Sequence, residues 1–538
     1  MLADTLLAVS LTRSAPPLAE QVEAAVRAGA DLIELRVDRI GDDRAVEALL
    51  KEPHAVPFIL TVRSAEEGGA WSGDEACRVA LLERLGRHGP GFVDVEYAAW
   101  QRSPSVRLKT GPLCKLEEAP GGRPEGTKAP RHRGDGAARR RLNTLIISRH
   151  DLHGTPVELD EVFDRLEATP AGVVKAVFTA QQALDSCRVL EQLHRRGGRQ
   201  QMIALAMGEA GLLSRVLARK FGALLTFAAL ERGVEAAPGQ PTLDELRNTY
   251  RWETVNRRTR VFGVVGWPVT HSLSPALHNA AMAADGIGGV YLPLPVKPAY
   301  GDLAAFLDYV TENDWLDIAG LSVTIPHKEH VARWLNERGY PVGKLARRCG
   351  AVNTLARAPD TGWRGENTDV PGALRALESV PELAGGGLRG QPVDVLGAGG
   401  VARAVVAGLV ERGCRVTVYN RSEDRARTLA QQLRCAWKPW SQRSAGTGRV
   451  LVNCTSVGMA PDTQSSPVSA ERLRPETVVF DTIYNPAETH LLAAARARGC
   501  RVVSGVELFI AQAAEQYALW HGRAAPLTTL RRALQGAS

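Results

Sequence analysis

A single lysine, Lys175, lies inside the apolar run Val173-Val-Lys-Ala-Val-Phe178. This run is the clearest strand signal in the first half of the chain. Valine and phenylalanine favour extended backbone, so the run predicts a buried strand. Seven similar runs lie in the first 250 residues, which gives predicted strands at 6–10, 32–37, 58–62, 92–96, 145–148, 173–178, 202–207 and 224–227. Helix-like stretches separate them. Eight strands that alternate with helices fit a (β/α)₈ barrel.

Charged side chains follow several of these strands at the ends where such a barrel carries its chemistry. His150 follows the fifth strand, and Arg36, Arg63 and Arg215 lie at or just beyond strand ends. Burial disfavours the charged form of a lysine and leaves a nucleophilic amine. Arginines can bind a carboxylate through paired hydrogen bonds. The pattern predicts a site for an acidic ketone, with Lys175 as nucleophile and His150 as general base and acid.

Each of these residues also has an ordinary structural interpretation when it is taken alone. A single lysine in a strand often extends its charged end to the surface, and a single histidine near a loop is usually a hydrogen-bonded neighbour. Their joint placement on one face of the predicted barrel favours the catalytic interpretation.

A glycine-rich turn organises the second half of the chain. Gly397, Gly399 and Ala402 form a Gly-x-Gly-x-x-Ala pattern between a predicted strand and helix. Such a turn lets backbone N–H groups approach a pyrophosphate at the helix N-terminus. The next strand ends in Asn420-Arg421-Ser422, with Arg425 close behind, and none of these four positions offers an acidic residue for a ribose hydroxyl. Two guanidinium groups suit a 2′-phosphate, which predicts NADP rather than NAD, with a solvated basic turn as the alternative.

The composition limits the other classes of function. The chain has 538 residues, 44% hydrophobic and 23% charged, which predicts a multidomain globular protein. It lacks an apolar run of about 18 residues and a basic segment before the first apolar run, so a membrane protein and a secreted one are not expected. The predicted location is cytoplasmic. The eight cysteines are scattered, which predicts neither a metal site nor a disulfide framework.

The net charge of +7 is concentrated in one segment. Residues 119–141 carry seven lysines and arginines against two acidic residues, among many glycines and prolines. Aromatic residues do not interleave with the charges, so we expect a solvated surface insertion between the fourth and fifth strands. A nucleic-acid-binding arm is the less favoured alternative.

The first half resembles the type I 3-dehydroquinate dehydratases over roughly residues 5–250. The motifs that carry the resemblance are Glu34-Leu-Arg36-Val-Asp38, Thr61-Val-Arg63-Ser-Ala-Glu-Glu67-Gly-Gly69, Ser148-Arg-His150-Asp151, Val174-Lys175-Ala176, Met207-Gly208, Ser214-Arg215 and Ala237-Pro-Gly-Gln240. The resemblance implies that Lys175 forms a Schiff base, that His150 transfers protons and that Glu67 assists. It also implies a substrate-binding set of Glu34, Arg36, Arg63, Arg215 and Gln240. Ala236 departs from the pattern, since the family usually has a serine there.

The second half resembles the shikimate dehydrogenases over residues 260–535. The motifs are Ser272-Leu-Ser274-Pro275, His278-Asn279, Val323-Thr324-Ile-Pro-His-Lys328, Ala351-Val-Asn353-Thr354, Glu366-Asn367-Thr368-Asp369, Gly397-Ala-Gly-Gly400, Asn453-Cys-Thr455-Ser456, Gly458-Met459, Asp481-Thr-Ile-Tyr484-Asn-Pro486, Gly505 and Gln512-Ala513. Two positions differ from the usual pattern, because Ser322 replaces an asparagine and Ser422 replaces a threonine.

This second resemblance implies that Lys328 and Asp369 form a catalytic pair. Physically, an ammonium held by a carboxylate can donate a proton to a developing alkoxide, although a surface salt bridge is the plain alternative. The implied substrate-binding set is Ser272, Ser274, Thr324, Asn353, Tyr484 and Gln512. The implied cofactor-binding set is Gly397, Ala398, Gly399, Gly400, Asn420, Arg421, Ser422, Arg425, Thr455 and Gly505.

The predicted fold class is therefore α/β, with a (β/α)₈ barrel before a two-part shikimate dehydrogenase-like unit. The expected domains are a barrel at 1–255, a substrate domain at 256–375, a Rossmann-like NADP domain at 376–504 and C-terminal helices at 505–538 that return to the substrate domain. The relative orientation of the halves and the oligomeric state stay open.

The predicted function is a bifunctional enzyme of the shikimate pathway, which leads to the aromatic amino acids. It would dehydrate 3-dehydroquinate to 3-dehydroshikimate and reduce that product to shikimate with NADPH. We do not expect the protein to bind a metal, a nucleic acid or a membrane. Two alternatives remain: a catabolic quinate or shikimate dehydrogenase, and a non-catalytic regulator built from the same modules.

Overall fold

The computed structural model describes residues 5–102, 143–358 and 360–537. The chain folds as two compact units, Met1–Arg258 and Thr259–Ser538. The predicted basic segment 119–141 lies outside the described residues. Over the described ranges, the helices include none that is long and apolar enough to cross a membrane. The cytoplasmic location stays a prediction.

The first unit contains an eight-stranded parallel sheet in the order β7-β6-β5-β4-β3-β2-β1-β8. Its strands are β1 Leu6–Leu11, β2 Leu32–Arg36, β3 Phe58–Thr61, β4 Gly91–Glu96, β5 Thr144–Asp151, β6 Val173–Thr179, β7 Gln201–Met207 and β8 Leu225–Ala228. Leu224 N donates to Met202 O at 2.8 Å and brings the last two strands together. The predicted α/β barrel is confirmed.

The helices that connect these strands are amphipathic. They pack on the sheet because apolar residues recur on one side of each helix. In α6, for example, Leu159, Val162, Phe163 and Leu166 are buried. The helices of this unit are α1 Leu18–Arg27, α2 Val37–Ile40, α3 Asp43–Lys51, α4 Glu75–Gly86, α5 Tyr97–Arg102, α6 Leu159–Glu167, α7 Ala183–Arg196 and α8 Leu212–Leu217.

The fifth strand is longer than its sequence predicts. The apolar run ends at residue 148, but the ladder with β6 continues and pairs His150 with Val177. His150 therefore lies within a strand rather than after it, because the neighbouring β6 extends far enough to supply backbone partners. This rigid position fixes the direction of the His150 side chain.

The second unit contains two sheets. One has the order β10-β9-β11-β12-β13, with the last two strands antiparallel, and the other is parallel with the order β16-β15-β14-β17-β18-β19. The strands are β9 Arg260–Gly266, β10 Gly289–Pro295, β11 Ile318–Val323, β12 Thr354–Ala358, β13 Gly362–Glu366, β14 Pro392–Leu396, β15 Arg415–Asn420, β16 Ala436–Pro439, β17 Val450–Asn453, β18 Val478–Asp481 and β19 Arg501–Val503.

The helices of the second unit pack on these sheets. They are α9 Ser274–Ala284, α10 Tyr300–Glu312, α11 Lys328–Arg338, α12 Lys344–Cys349, α13 Asp369–Glu378, α14 Gly400–Glu411, α15 Glu423–Leu433, α16 His490–Ala497, α17 Gly505–His521 and α18 Leu527–Ala537. Phe509, Tyr517 and Trp520 of α17 share one apolar core with Phe262 and Tyr291 of the first sheet. The finer domain bounds within this unit stay predictions.

Candidate active sites

A cavity of about 110 Å³ lies in the first unit and is lined from several strands and loops. The structure brings together here all eight side chains that the sequence analysis assigned to this half, namely Glu34, Arg36, Arg63, Glu67, His150, Lys175, Arg215 and Gln240. Val177, Leu205 and Phe227 add apolar walls. The cavity thus combines an amine, an imidazole and several guanidinium groups in a small enclosed volume.

Lys175 lies on β6 and is only 3% exposed. Its Nζ donates to Asp94 Oδ2 at 2.8 Å and lies 3.6 Å from Glu34 Oε1. The ring of Phe227 is 4.8 Å from the same nitrogen. The amine is therefore held at one point by a close carboxylate, a more distant one and an aromatic ring.

Asp94 is the shared acceptor of this site. Its Oδ2 also accepts from Arg63 Nη2 at 2.8 Å, and its Oδ1 accepts from Ser148 Oγ at 2.5 Å. Burial by itself raises the pKa of Asp94, but the charges of Arg63 and Lys175 outweigh burial and hold that pKa well below its ordinary value. Asp94 is thus a carboxylate that stays ionised.

His150 and Glu67 form a second pair at the cavity. Glu67 Oε2 lies 2.9 Å from His150 Nδ1 and accepts the His150 backbone N–H at 3.0 Å. Burial, followed by the charges of Arg63 and Lys175, lowers the pKa of His150 well below its ordinary value. Burial also raises the pKa of Glu67 to about 7, although Arg63 opposes that shift. Neutral His150 is therefore the resting form, and it is available as a base.

A tight turn after β3 carries Glu67 toward His150. Residues Ala65–Glu67 form one 3₁₀ turn, and Ser64 Oγ accepts the Glu67 N–H at 3.3 Å at its start. A Cβ at Gly69 would lie 1.9 Å from Arg63 O, so only glycine allows the loop to return this closely. The local sequence therefore determines where the Glu67 carboxyl lies.

The arginines of this cavity differ in their partners. Arg36 donates to both carboxylate oxygens of Asp38, at 3.1 and 2.8 Å. Arg215 of α8 is 2% exposed, and within the described part of the chain its buried Nε lacks a hydrogen-bond partner. Burial lowers the pKa of Arg215 to about 10. A buried cation without an acceptor at Nε favours the binding of an anion from outside.

The second unit contains a buried lysine–carboxylate pair. Lys328 Nζ donates to Asp369 Oδ2 at 2.6 Å, and Asn353 Nδ2 donates to Asp369 Oδ1 at 2.9 Å. Asn353 Oδ1 in turn accepts the Thr368 N–H at 2.7 Å. A Cβ on Gly400 would lie 3.0 Å from Lys328 Cδ, so the glycine-rich turn lies directly against this lysine. Lys328 and Asp369 are both buried, so they do not form a surface salt bridge.

The other residues assigned to the second site have separate local contacts. Ser272 Oγ accepts the Ser274 N–H at 3.3 Å. The ring of Tyr484 stacks on Phe509 with 4.3 Å between centroids, and Gln512 Nε2 donates to Phe509 O at 3.2 Å. Thr324 follows β11, four residues before Lys328.

The glycine-rich turn leaves open space at the N-terminal end of α14. Gly397 has φ of 110°, and a Cβ there would lie 2.9 Å from Cys454 O. A Cβ at Gly399 would meet nothing within 4 Å, which leaves open space at the start of α14. Ala398 lies between them, two residues after the end of β14, and the first N–H groups of any helix are directed out of its N-terminal end.

The segment after β15 presents two arginines on a fixed turn. Ser422 Oγ accepts the Arg425 N–H at 3.4 Å and begins α15, and Asn420 Nδ2 donates to Ser422 O at 2.9 Å. Arg421 and Arg425 are both exposed. Their charges are therefore available at the strand end where a Rossmann-like fold binds the adenosine ribose.

Two residues assigned to the cofactor have clear local roles. Thr455 Oγ1 donates to Asn453 Oδ1 at 2.7 Å and accepts the Val457 N–H at 3.2 Å, so its hydroxyl closes its own loop. A Cβ at Gly505 would lie 2.2 Å from Ile483 O, so glycine permits this close approach at the start of α17.

Family models match most of both units. The matches are type I 3-dehydroquinase at 7–111 and 129–257, the shikimate dehydrogenase substrate binding domain at 264–355, shikimate/quinate 5-dehydrogenase at 381–442 and the shikimate 5′-dehydrogenase C-terminal domain at 505–535. A chloroplastic bifunctional 3-dehydroquinate dehydratase/shikimate dehydrogenase of Arabidopsis thaliana is 33% identical over 95% of this chain and 82% of its own length. This chain belongs to that bifunctional family.

Other relatives resemble the second unit alone. The NADP⁺ shikimate dehydrogenase of Moorella thermoacetica is 41% identical over 53% of this chain and 95% of its own length. A crystal structure of the Thermus thermophilus shikimate 5-dehydrogenase with NADP(H) and shikimate is 34% identical, covers 52% of this chain and 100% of its own, and has a TM-score of 0.46. The bifunctional family thus joins a type I dehydroquinase, a lyase, to a shikimate dehydrogenase, an oxidoreductase.

The sequence analysis did not assign several buried polar residues to the two sites. In the barrel they are Asp94, Ser148 and Glu96, which contact Arg63 and Lys175. The alternation in the run Phe92-Val-Asp-Val-Glu96 was a usable signal, since alternate residues of a barrel strand point inward. In the second unit they are Tyr291, which donates to Ser322 Oγ at 2.7 Å, and Gln516, whose Oε1 accepts from Ser322 Oγ at 2.8 Å.

The structure shows the contacts of two residues that depart from the family pattern, Ala236 and Ser322. Ala236 lines the barrel cavity, and its N–H donates to Gln240 Oε1 at 2.7 Å, so its backbone orients the Gln240 amide. Ser322 is buried in the hydrogen-bond chain just described, which shows how a small hydroxyl is accommodated there.

Proposed function

We propose that the barrel dehydrates 3-dehydroquinate through a Schiff base on Lys175 and that the second unit reduces the resulting 3-dehydroshikimate to shikimate with NADPH. The observation that carries the barrel proposal is the buried Arg215 in the same cavity as Lys175 and His150, with no acceptor for its Nε among the described residues. A cation so placed fits the carboxylate of a keto acid, and the amine and imidazole fit the chemistry at the ketone.

The dehydration begins at Lys175. The Nζ lone pair forms a bond to the ketone carbon, and the ketone oxygen leaves as water after it has gained two protons. His150 then removes a proton from the adjacent carbon, and the electron pair of that C–H bond moves toward the imine nitrogen. The pair returns as the neighbouring hydroxyl leaves with the proton that His150 gives back. A second water hydrolyses the imine and releases the enone and the Lys175 amine.

Glu67 acts through His150 in this scheme. Its carboxyl contacts His150 Nδ1, so it orients the ring and fixes which nitrogen carries the proton. With Nδ1 engaged, Nε2 is the nitrogen that takes up and returns the substrate proton.

In the second unit, Lys328 is the proton donor. NADPH, when bound, supplies the hydride to the ketone carbon. Lys328 then gives a proton to the oxygen as its negative charge develops, and Asp369 holds the ammonium in position. Asn353 fixes the Asp369 carboxylate through its amide. Ser272, Ser274, Thr324, Tyr484 and Gln512 would orient the substrate hydroxyls and carboxylate.

The NADP assignment rests on the two exposed arginines after β15. A Rossmann-like fold that selects NAD places a carboxylate at this position, whereas Arg421 and Arg425 suit the 2′-phosphate of NADP. The open space at Gly399 and the approach of Gly397 to Cys454 fit the pyrophosphate.

A coupled assay tests both reactions in one vessel. With 3-dehydroquinate alone we expect the enone absorbance to rise, and with NADPH added we expect it to fall while NADPH is consumed mole for mole. Oxidation of shikimate with NADP⁺ is expected to exceed oxidation of quinate with NAD⁺. Ligand-induced thermal stabilisation without turnover would instead indicate a regulator.

Replacing Arg215 tests the carboxylate site. Arg215→Met keeps much of the buried volume but removes the cation, so KM for 3-dehydroquinate is expected to rise by about 30-fold or more. Arg44→Met, at an exposed position of the same unit, is the matched control. Steady-state kinetics of both variants measure the effect, and an unchanged KM in Arg215→Met contradicts the role.

Replacing Arg421 and Arg425 tests cofactor selection. The double variant Arg421→Ala/Arg425→Ala is expected to raise KM for NADP⁺ about tenfold or more, because charge-assisted hydrogen bonds to the phosphate are lost. KM for shikimate should stay as it was. Arg427→Ala, on the same helix and also exposed, is the control. An unchanged KM for NADP⁺ in the double variant would refute the phosphate contact.

A further inference from the structure

Asp94 has an unusual set of donors for one buried carboxylate. Lys175 Nζ and Arg63 Nη2 each lie 2.8 Å from Oδ2, and Ser148 Oγ lies 2.5 Å from Oδ1. These donors come from β6, from the residue two beyond β3 and from β5, and Asp94 lies on β4. Asp94 is 1% exposed, so water does not screen these interactions.

Glu34 is the other carboxylate near the lysine, and its geometry is different. It lies 3.6 Å from Lys175 Nζ, beyond hydrogen-bond distance. Its two oxygens accept from Ser10 Oγ at 2.6 Å and Thr61 Oγ1 at 3.0 Å. The distances therefore select Asp94 as the direct partner of the amine.

Asp94 cannot serve as the base that takes the lysine proton. The charges of Arg63 and Lys175 hold its pKa far below its ordinary value despite its burial. It therefore acts as a negatively charged partner of the amine rather than as a proton acceptor. A carboxylate that keeps its charge next to the reacting nitrogen acts as a fixed electrostatic partner.

We propose that Asp94 is a positioning residue that acts as the counter-ion of the Lys175 nitrogen whenever that nitrogen is charged, both as the ammonium and as the protonated imine. The inference rests on the proposed dehydratase function. The ammonium has three N–H bonds and the protonated imine keeps one, and Asp94 is the carboxylate at hydrogen-bond distance to retain it. The positive charge on the imine nitrogen is what draws the electron pair from the C–H bond, so its stabilisation promotes proton removal.

The same charge has opposite effects on the two halves of the reaction. It stabilises the resting ammonium, which opposes attack on the ketone, and it stabilises the protonated imine, which favours dehydration. Other charged groups line the same cavity from β2, α2, the loop after β3, β5 and α8, and Glu96 of β4 pairs with Arg63. The cavity-lining groups are Glu34, Arg36, Arg39, Arg63, Glu67, His150 and Arg215. A test must therefore change Asp94 while these groups remain.

Asp94→Asn keeps the shape of the side chain and removes its charge. We measure borohydride trapping of the 3-dehydroquinate imine by mass across pH, together with kcat for dehydration. The expected result is a trapping midpoint at least about one pH unit lower than in the wild type. A kcat about 10²-fold lower, with the adduct still formed, is also expected. A midpoint that is unchanged or higher, or an equal loss of trapping and turnover, overturns the proposal.

Two further variants keep the test decisive. Glu34→Gln is the matched control, and its midpoint should move less than that of Asp94→Asn. Ser148→Ala removes a donor from Asp94 without changing the charge, so Asp94 binds the ammonium more strongly and the midpoint should rise. If Asp94→Asn does not fold, Ser148→Ala decides, and an unchanged or lower midpoint counts against the counter-ion role. A wild-type enzyme without adduct and without turnover would instead mean that the proposed dehydratase function has failed.

Discussion

Lys175→Ala is expected to lower dehydration of 3-dehydroquinate by about 10⁴-fold or more, as for other enzymes that lose their nucleophile, while shikimate oxidation is unchanged. Among the described residues that line the cavity, Lys175 is the one lysine, and Asp94 and Phe227 define its position. The fold should tolerate the change, because Arg63 still pairs with the Asp94 carboxylate after the lysine is removed. Enone formation and NADPH production, each measured separately, test the two activities.

The control for this prediction is Lys51→Ala, at an exposed lysine of the same unit. Borohydride treatment with 3-dehydroquinate should leave an adduct on the wild type and on Lys51→Ala, but not on Lys175→Ala. An adduct that persists in Lys175→Ala would place the Schiff base on another lysine. Loss of shikimate oxidation in the same variant would show that the two compact units are not functionally independent.

The barrel could be predicted from the sequence because each of its strands is buried on both faces. Such strands appear as short runs of valine, leucine, isoleucine and phenylalanine, and the run at Lys175 is the clearest example. The runs also fixed which residues would lie at the strand ends, so His150 and Lys175 could be assigned to one cavity. The predicted end of β5 was wrong, because its last residues are held in the sheet by pairing with β6 rather than by apolar side chains.

The pairing of charges inside the cavity could not be predicted. Arg36 and Arg63 were expected to receive the substrate, but Arg36 is held by Asp38 and Arg63 by Asp94 and Glu96. A sequence shows which charges are present, whereas their partners depend on distances of a few ångströms between different strands. Arg215 differs because none of the described residues supplies an acceptor to its buried Nε, which becomes visible in three dimensions.

In the second site, too, the hydrogen-bond partners could not be predicted, because they lie far apart in the sequence. Gln516 donates to Thr354 Oγ1 at 3.1 Å although 162 residues separate them, and it accepts from Ser322. The glycine-rich turn and the arginines after β15 could be found because they are contiguous. The buried hydrogen bonds that hold Asn353 and its neighbours in place are assembled from distant segments, so spacing alone does not reveal them.

Lys328→Met is expected to lower kcat for shikimate oxidation by about 10²–10⁴-fold, the range that a positioned acid or base contributes. Methionine fills the buried volume but cannot carry a proton. KM for NADP⁺ should change little, because Arg421 and Arg425 lie on a different segment from this pair. Dehydration in the barrel should be unaffected, and the two activities are measured on the same preparation.

Asp369→Asn separates the chemical role of the pair from its effect on stability. This variant leaves the buried Lys328 without its carboxylate, and breaking a buried pair costs about 3–5 kcal/mol of unfolding free energy. Lys328→Met leaves Asp369 with its Asn353 hydrogen bond, so it should unfold at a higher temperature than Asp369→Asn. Lys344→Met, at an exposed lysine, controls for the substitution itself. If Lys328→Met oxidised shikimate at the wild-type rate, the proton of the shikimate hydroxyl would have to go to another group, and the pair would be structural only.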